Sequence, residues 1–308
     1  MSWQRALACW ALRTRIRPHT ARPELDVELA RSYASRRVWT PRVPKGWRLT
    51  VSASGDEWLT KETHTPRTIL YLHGGGYYFC SPRSHRAITF RLASQARANV
   101  LSLDYRLAPE HRFPAAIDDS VAAYRRLLDE GTPAQSIVLA GDSAGGGLAL
   151  ATLLALRDAG TPLPAAAVLF SPWTDLTCGG ASMRTNEGRD PMYHAAVFPR
   201  VAAQYLGGAD VRHPYASPLF GEFAGLPPLL IQVGDTELLL DDSTRVAGRA
   251  RAAGVAVQLD VWRSVPHIFQ IWAPFMPEAS EALARAAAFI EQATASREAH
   301  RPPITSMV

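Results

Sequence analysis

Cysteine is scarce in this chain, with Cys9, Cys80 and Cys178 the only three in 308 residues. They are odd in number, far apart and free of any C-x-x-C pair, so they suggest neither a disulfide framework nor a zinc site. Long apolar runs are missing as well. The stretch Leu7 to Leu12 stops at Arg13, Arg15 and Arg17, well short of the roughly 18 apolar residues a membrane-spanning helix needs. It is also too short for the apolar part of a secretory signal, which leaves an amphipathic helix as the expectation. Nor is there a dense basic tract. The 33 Lys+Arg and 28 Asp+Glu give a formal charge of +5, a small, dispersed excess that argues against a nucleic-acid partner. The expectation is a soluble protein of a reducing compartment, the cytoplasm.

Hydrophobic residues make up 47% of the chain and charged residues 20%, ordinary values for a globular protein. The length suits one large α/β domain carrying an insertion. Residues 1–45 read as helical, with weak breaks at Pro18 and Pro23. Beyond Pro41 and Pro44 the alternation of Trp47, Leu49 and Val51 reads as a strand pair. Buried strands are then expected at Thr68–Leu72, Val100–Tyr105, Ser136–Ala140, Ala165–Phe170, Leu229–Val233 and Val255–Trp262. Helical patterns lie near 84–97, 114–129, 144–159, 241–253 and 277–295. This rhythm implies a mostly parallel central sheet flanked by helices. Residues 172–226, rich in Gly and Pro with a helical pattern near 194–206, are too long for a plain connection. The expected organisation is an N-terminal helical part of a cap (1–45), a core in two parts (46–171 and 227–298), a cap or lid insertion (172–226) and a flexible tail (299–308).

Two motifs carry chemistry. Gly141-Asp142-Ser143-Ala144-Gly145 follows one expected strand and precedes a helix, the strand–turn–helix setting of a nucleophile elbow. Glycines let neighbouring backbone come close to a tight turn that exposes the Ser143 hydroxyl, and the helix N-terminus behind it favours negative charge. His73-Gly74-Gly75-Gly76 follows another expected strand. Its chemistry is an oxyanion hole, with the N–H groups of Gly75 and Gly76 joined by that of Ala144. His73 is expected to orient the loop by hydrogen bonding; Gly74 and Asp142 complete the two motifs.

These motifs, in this order and about 68 residues apart, resemble those of the hormone-sensitive-lipase-like (bacterial family IV) esterases of the α/β-hydrolase fold. The resemblance extends to Asp104-Tyr105-Arg106-Leu107-Ala108-Pro109-Glu110-His111, to Ser171-Pro172-Trp173-Thr174-Asp175-Leu176 and to Gly225-Leu226-Pro227-Pro228. It implies a serine carboxylesterase working through an acyl-enzyme, without metal or cofactor, on a small-molecule ester or lactone. It also implies an acid and then a histidine base late in the chain. His267, in the loop after the last expected strand, fits the base. The other histidines come too early, fall in the insertion or, as His300, lie in the tail. The acid position is contested. An ungapped match of Leu239-Leu240-Asp241-Asp242 to the family pattern places the acid at Glu237, 30 residues before His267, whereas Asp235 fits with a longer loop. Asp241 and Asp242 are expected to begin the next helix.

Trp10, Trp39, Tyr77, Tyr78, Phe79, Phe198 and Tyr205 are available to line a covered apolar pocket, which favours short- to medium-chain acyl esters. A lactone hydrolase of the same fold and a non-catalytic ligand-binding relative are the alternatives. Members of the family also pair as homodimers.

Overall fold

The computed structural model describes residues 2–36 and 40–298; Trp39 and the expected tail lie outside them. Three helices come first, α1 (Trp3–Arg15), α2 (Arg17–Thr20) and α3 (Val27–Arg36). Ser2 caps α1 by accepting from the Arg5 N–H, and Asp26 accepts from Leu29 N–H at the start of α3. Each relieves one of the orphan donors at a helix N-terminus. Strands β1 (Trp47–Val51) and β2 (Glu57–Lys61) form the expected antiparallel pair.

The core then alternates: β3 (Arg67–Leu72), α4 (Arg86–Ala96), β4 (Ala98–Leu103), α5 (Ala115–Asp129), β5 (Ile137–Asp142), α6 (Ala144–Asp158) and β6 (Ala166–Phe170). Short helices α7 (Ser182–Thr185) and α8 (Val197–Leu206) interrupt it. The core resumes with β7 (Leu229–Gly234), α9 (Leu240–Ala252), β8 (Val257–Trp262) and α10 (Pro277–Glu298). The described residues build one eight-stranded sheet in the order β1-β2-β4-β3-β5-β6-β7-β8. It is parallel from β4 to β8, and β2 joins β4 antiparallel.

Strand periodicity divides the core into two layers. Leu70, Leu72, Leu139 and Leu169 pack with Leu127 of α5, Leu150 of α6 and Val246 of α9. Ile69, Tyr71, Val138 and Val168 point the other way, onto Ile88 of α4 and Leu283 and Ile290 of α10. Because both faces are covered, β5, β6 and β7 are buried along their whole length, as expected for parallel strands. The expectation of a buried strand fails at β8, which pairs only with β7 and leaves Val261 48% exposed. Its apolar residues half-cover an edge rather than fill a core.

The segment between β6 and β7 meets the N-terminal helices. Arg13 donates to the carbonyls of Gly188 and Arg189 at 2.8 and 3.0 Å. Arg17 pairs with Glu187 at 2.9 Å, and His194 N–H donates to the Thr20 hydroxyl. Tyr77 and Tyr205 stack at 3.8 Å within the core beneath.

Helix α6 is apolar on every side and buried nearly throughout. Gly147 lies against the Trp173 carbonyl, where a Cβ would collide. Alanine normally favours a helix over glycine by about 1 kcal/mol, yet Gly147→Ala is expected to destabilise this protein by about 2 kcal/mol, read as a lower urea midpoint with unchanged slope.

Candidate active site

The site is assembled at the carboxyl ends of β3, β5 and β7, where an open parallel sheet leaves its crevice. Ser143 follows β5 and caps α6 with φ 52° and ψ −121°. That conformation costs about 1–3 kcal/mol for a residue with a side chain. The turn is held by Ser143 N–H on the Phe170 carbonyl and by Trp173 N–H on the Ser143 carbonyl, both 2.8 Å. A Cβ on Gly145 would strike the carbonyls of Leu72 and His73, and one on Gly141 would strike the carbonyl of Gly145. The glycines of the motif are therefore steric requirements of the elbow.

The loop after β3 passes beside it. Gly75 (φ 112°) and Gly76 (φ 58°) occupy the left-handed region that glycine enters without penalty. Among the described residues, no acceptor meets the N–H groups of Gly75, Gly76 or Ala144. His73 donates its Nδ1–H to the Gly74 carbonyl at 2.7 Å, and its ring stacks on Tyr105 at 4.4 Å. Burial pushes its pKa down to about 3, so it stays neutral.

Sequence reasoning missed the residues beneath this loop. The Asp142 carboxylate accepts from Tyr71 Oη–H at 2.7 Å and Gly74 N–H at 3.0 Å through Oδ1, and from His85 Nε2–H at 3.2 Å through Oδ2. Both members of the Asp142–His85 pair are buried. Burial alone would lower the His85 pKa, but the Asp142 charge and hydrogen bond outweigh it and the pKa is raised. Burial alone would raise that of Asp142, which the charge and hydrogen bond of His85 and the Tyr71 hydrogen bond lower. The Asp142 carboxylate therefore joins the elbow to the glycine loop through Gly74 and to the start of α4 through His85. The only sequence signal for His85 is a histidine near a helix start.

Across the cavity, His267 Nδ1–H donates to Glu237 Oε2 at 2.6 Å, with both side chains buried. Glu237 Oε1 accepts from the Gly234 N–H at 2.6 Å and from the Ser171 hydroxyl at 2.8 Å. Ser171 also accepts from Ile268 N–H at 3.3 Å, tying the histidine loop to the acid. Burial disfavours the imidazolium, but Glu237 raises the His267 pKa above its ordinary 6.5. Nε2 of His267 has no hydrogen-bond partner among the described residues, and neither does the Ser143 hydroxyl; such contacts commonly close only around substrate. Asp235 is elsewhere, with Oδ1 accepting from Ser264 N–H at 2.6 Å. Asp241 and Asp242 begin α9 as expected, yet both reach out of the helix. Asp241 accepts from Ser182 N–H, and Asp242 from the N–H groups of Thr174 and Asp175. Burial lifts the Asp242 pKa to about 7.

Ser143, His267, Gly75 and Gly76 line one cavity of about 350 Å³. Tyr78, Phe79 and Phe198 line it as expected, joined by Tyr193, Trp173 and Trp272. Tyr77 and Tyr205 do not, being buried in the core stack. Trp10 lies on the outer face of α1. No group of metal-ligand side chains occurs among the described residues.

The Asp142–His85 pair has a signed pH dependence. His85, raised above 6.5, contributes stability that is full below 6.5 and lost as pH rises through its folded value. Asp142, lowered from 3.8, contributes stability present above 3.8 and lost as pH falls through its folded value. His85→Gln is therefore expected to cost most between about pH 4 and 6.5, about 3 kcal/mol for a broken buried pair. Urea unfolding at pH 5 and pH 9 should show the larger deficit at pH 5.

Known proteins share this architecture. A family described as the alpha/beta hydrolase fold matches residues 69–271. An acetyl-hydrolase of Streptomyces hygroscopicus is 50% identical over 252 residues, covering 82% of this chain and 84% of that one. An esterase of Acinetobacter venetianus is 35% identical over 274 residues, 88% of each chain. The crystal structure of an esterase from the bacterial hormone-sensitive lipase family matches with a TM-score of 0.88 and 41% identity, over 96% of this chain and 99% of that one. EstE5 soaked with p-nitrophenyl butyrate matches at 0.90 and 40%, over 96% and 100%. With a matching fold, a matching family and relatives that are esterases along nearly their whole length, this chain belongs to the hormone-sensitive lipase family of ester hydrolases within the alpha/beta-hydrolase fold.

Proposed function

We propose that this protein is a serine carboxylesterase that hydrolyses short- to medium-chain acyl esters with Ser143, His267 and Glu237 as its triad. The observation that carries the reading is the buried 2.6 Å Glu237–His267 hydrogen bond opening onto the same cavity as a strained Ser143. His267 Nε2 takes the Ser143 proton as the oxygen attacks the ester carbonyl. The N–H groups of Gly75, Gly76 and Ala144 hold the oxyanion. His267 then protonates the departing alcohol, and water repeats the sequence on the acyl-enzyme. Glu237 fixes the imidazole tautomer and stabilises the imidazolium. Asp235 supports the turn at Ser264 instead.

The cavity volume and its apolar lining suit a short or medium acyl group. A butyryl ester, p-nitrophenyl butyrate, is also the compound soaked into the similar EstE5 crystal. Neither the lactone nor the non-catalytic alternative is favoured by relatives that are esterases and hydrolases. Residues 1–45 and 172–226 act as one cap over a core of 46–171 and 227–298, a division supported by the Arg13, Arg17 and Thr20 contacts. No helix among the described residues is long and apolar enough to cross a membrane. Three free cysteines suit a cytoplasmic setting, and the open edge of β8 suits pairing with a second copy.

Hydrolysis of p-nitrophenyl acetate, butyrate, octanoate and palmitate tests the reading. The expected order places butyrate above palmitate in kcat/KM; the reverse order would remove the chain-length assignment. Ser143→Ala should be inactive, and Glu237→Ala should lose about 10⁴-fold in kcat, against a far smaller loss for Asp235→Ala. A crippled Asp235→Ala with an active Glu237→Ala would overturn the acid assignment. Activity needs neutral His267, so the acid limb of kcat/KM should fall above pH 6.5. Glu237→Gln should move that limb to lower pH, because burial then acts on the imidazole without the carboxylate.

A further inference from the structure

Helix α1 buries one face and leaves the opposite face uncovered. At about 100° per residue, the buried Arg5, Ala8 and Leu12 point inward, while Trp3, Leu7 and Trp10 fall on the outer side within an arc of about 60°. These three are 66%, 45% and 57% exposed. Thr14 continues the stripe, and its hydroxyl turns back to donate to the Trp10 carbonyl at 2.9 Å. Phe275 widens the patch, being 42% exposed with its ring edge-on to Trp3 at 5.6 Å. Single apolar residues on a surface are ordinary, but two tryptophans, a leucine and a phenylalanine gathered together mark a contact surface.

The charge around the patch indicates what covers it. Residues 2–23 hold five arginines and no Asp or Glu. Arg5 is buried on the Arg263 carbonyl and Arg17 pairs with Glu187. Arg13 is exposed and donates only to carbonyls, and among the described residues no carboxylate pairs with Arg13, Arg15 or Arg22. By helical geometry Arg13 and Arg15 flank the Trp3–Leu7–Trp10 stripe on its two sides. Glu278, the acid at this end of the helix, is occupied by the Ser2 N–H and hydroxyl. A tryptophan-rich stripe edged by arginines that no carboxylate neutralises complements a lipid surface bearing negative headgroups. A second copy seated on the same patch would instead bring like charges together.

The patch also adjoins the cavity. Leu12 and Ile16, on or just after α1, line it, as do Ile271 and Trp272 of the loop that carries Phe275. We propose that the outer face of α1, with Phe275, docks the protein on anionic lipid surfaces through Trp3, Leu7 and Trp10, with Arg13 and Arg15 meeting the headgroups. The cavity then opens beside the phase into which amphiphilic esters partition. Docking is read as binding without turnover, so its failure and that of the esterase reading are separate.

Cosedimentation with vesicles of phosphatidylcholine alone, and mixed equally with phosphatidylglycerol, tests the proposal. The wild type should bind the mixed vesicles more tightly, with a blue shift of tryptophan emission. The double variant Trp3→Gln/Trp10→Gln should bind about tenfold or more weakly. Arg13→Gln/Arg15→Gln should lose the preference for the mixed vesicles, about fivefold for each charge. Trp3→Gln/Trp10→Gln should keep wild-type kcat/KM on dissolved p-nitrophenyl acetate, and Arg13→Gln/Arg15→Gln should keep the wild-type tryptophan emission in buffer, which verifies the fold of each. Wild-type protein left in the supernatant with both vesicles would overturn the proposal, as would wild-type binding by either double variant. A wild-type dimer that Trp3→Gln/Trp10→Gln dissociates would assign the face to a second copy and overturn it as well.

Discussion

Ser143 stands in a backbone conformation that a side chain rarely adopts, and three neighbouring segments hold it there. Phe170 at the end of β6 receives its N–H, Trp173 donates to its carbonyl, and Gly147 closes the first turn of α6 on that same carbonyl. The turn can be this tight because Gly141 and Gly145 let the ends of β3 and β5 pass without a Cβ between them. The local cost of about 1–3 kcal/mol is borne by surroundings that are buried and hydrogen-bonded.

Two buried polar networks flank this turn, and each has donors matched to acceptors. On one side, Asp142 gathers Tyr71, Gly74 and His85 under the glycine loop after β3. On the other, Glu237 gathers Gly234, Ser171 and His267. Buried carboxylates left unpaired would be costly, and those with several donors become rigid supports. The two differ in consequence. Asp142 faces a buried histidine whose pKa it raises, whereas Glu237 faces one whose far nitrogen opens onto the cavity. The first arrangement ties the glycine loop to the end of β5, and the second raises the pKa of His267.

Above both networks, the N-terminal helices and the segment before β7 close the cavity with aromatic side chains. Their junction is polar and peripheral, made of Arg13, Arg17, Thr20, Glu187 and His194. Asn186 and Asp190 extend it downward, donating to the Glu237 carbonyl and accepting from Leu238 N–H. The segment before β7 is thus tied directly to the loop bearing the Glu237 carboxylate.

Local sequence determined much of this protein. Strand and helix periods, the glycine spacing at Ser143 and the glycine run after His73 each express constraints acting within a few residues, and all have their counterparts in the fold. The resemblance to the family pattern favours Glu237 over Asp235, and in the fold the Glu237 carboxylate reaches His267 while that of Asp235 turns to Ser264. Tertiary structure decided what depends on segments distant in sequence. His85 on Asp142 and Ser171 on Glu237 span 57 and 66 residues, and no period connects such positions. Trp10, Tyr77 and Tyr205 carry equal apolar signals in the sequence, yet one faces outward and two stack in the core. Hydrophobicity says that a ring prefers contact, but only the packed chain decides what it contacts.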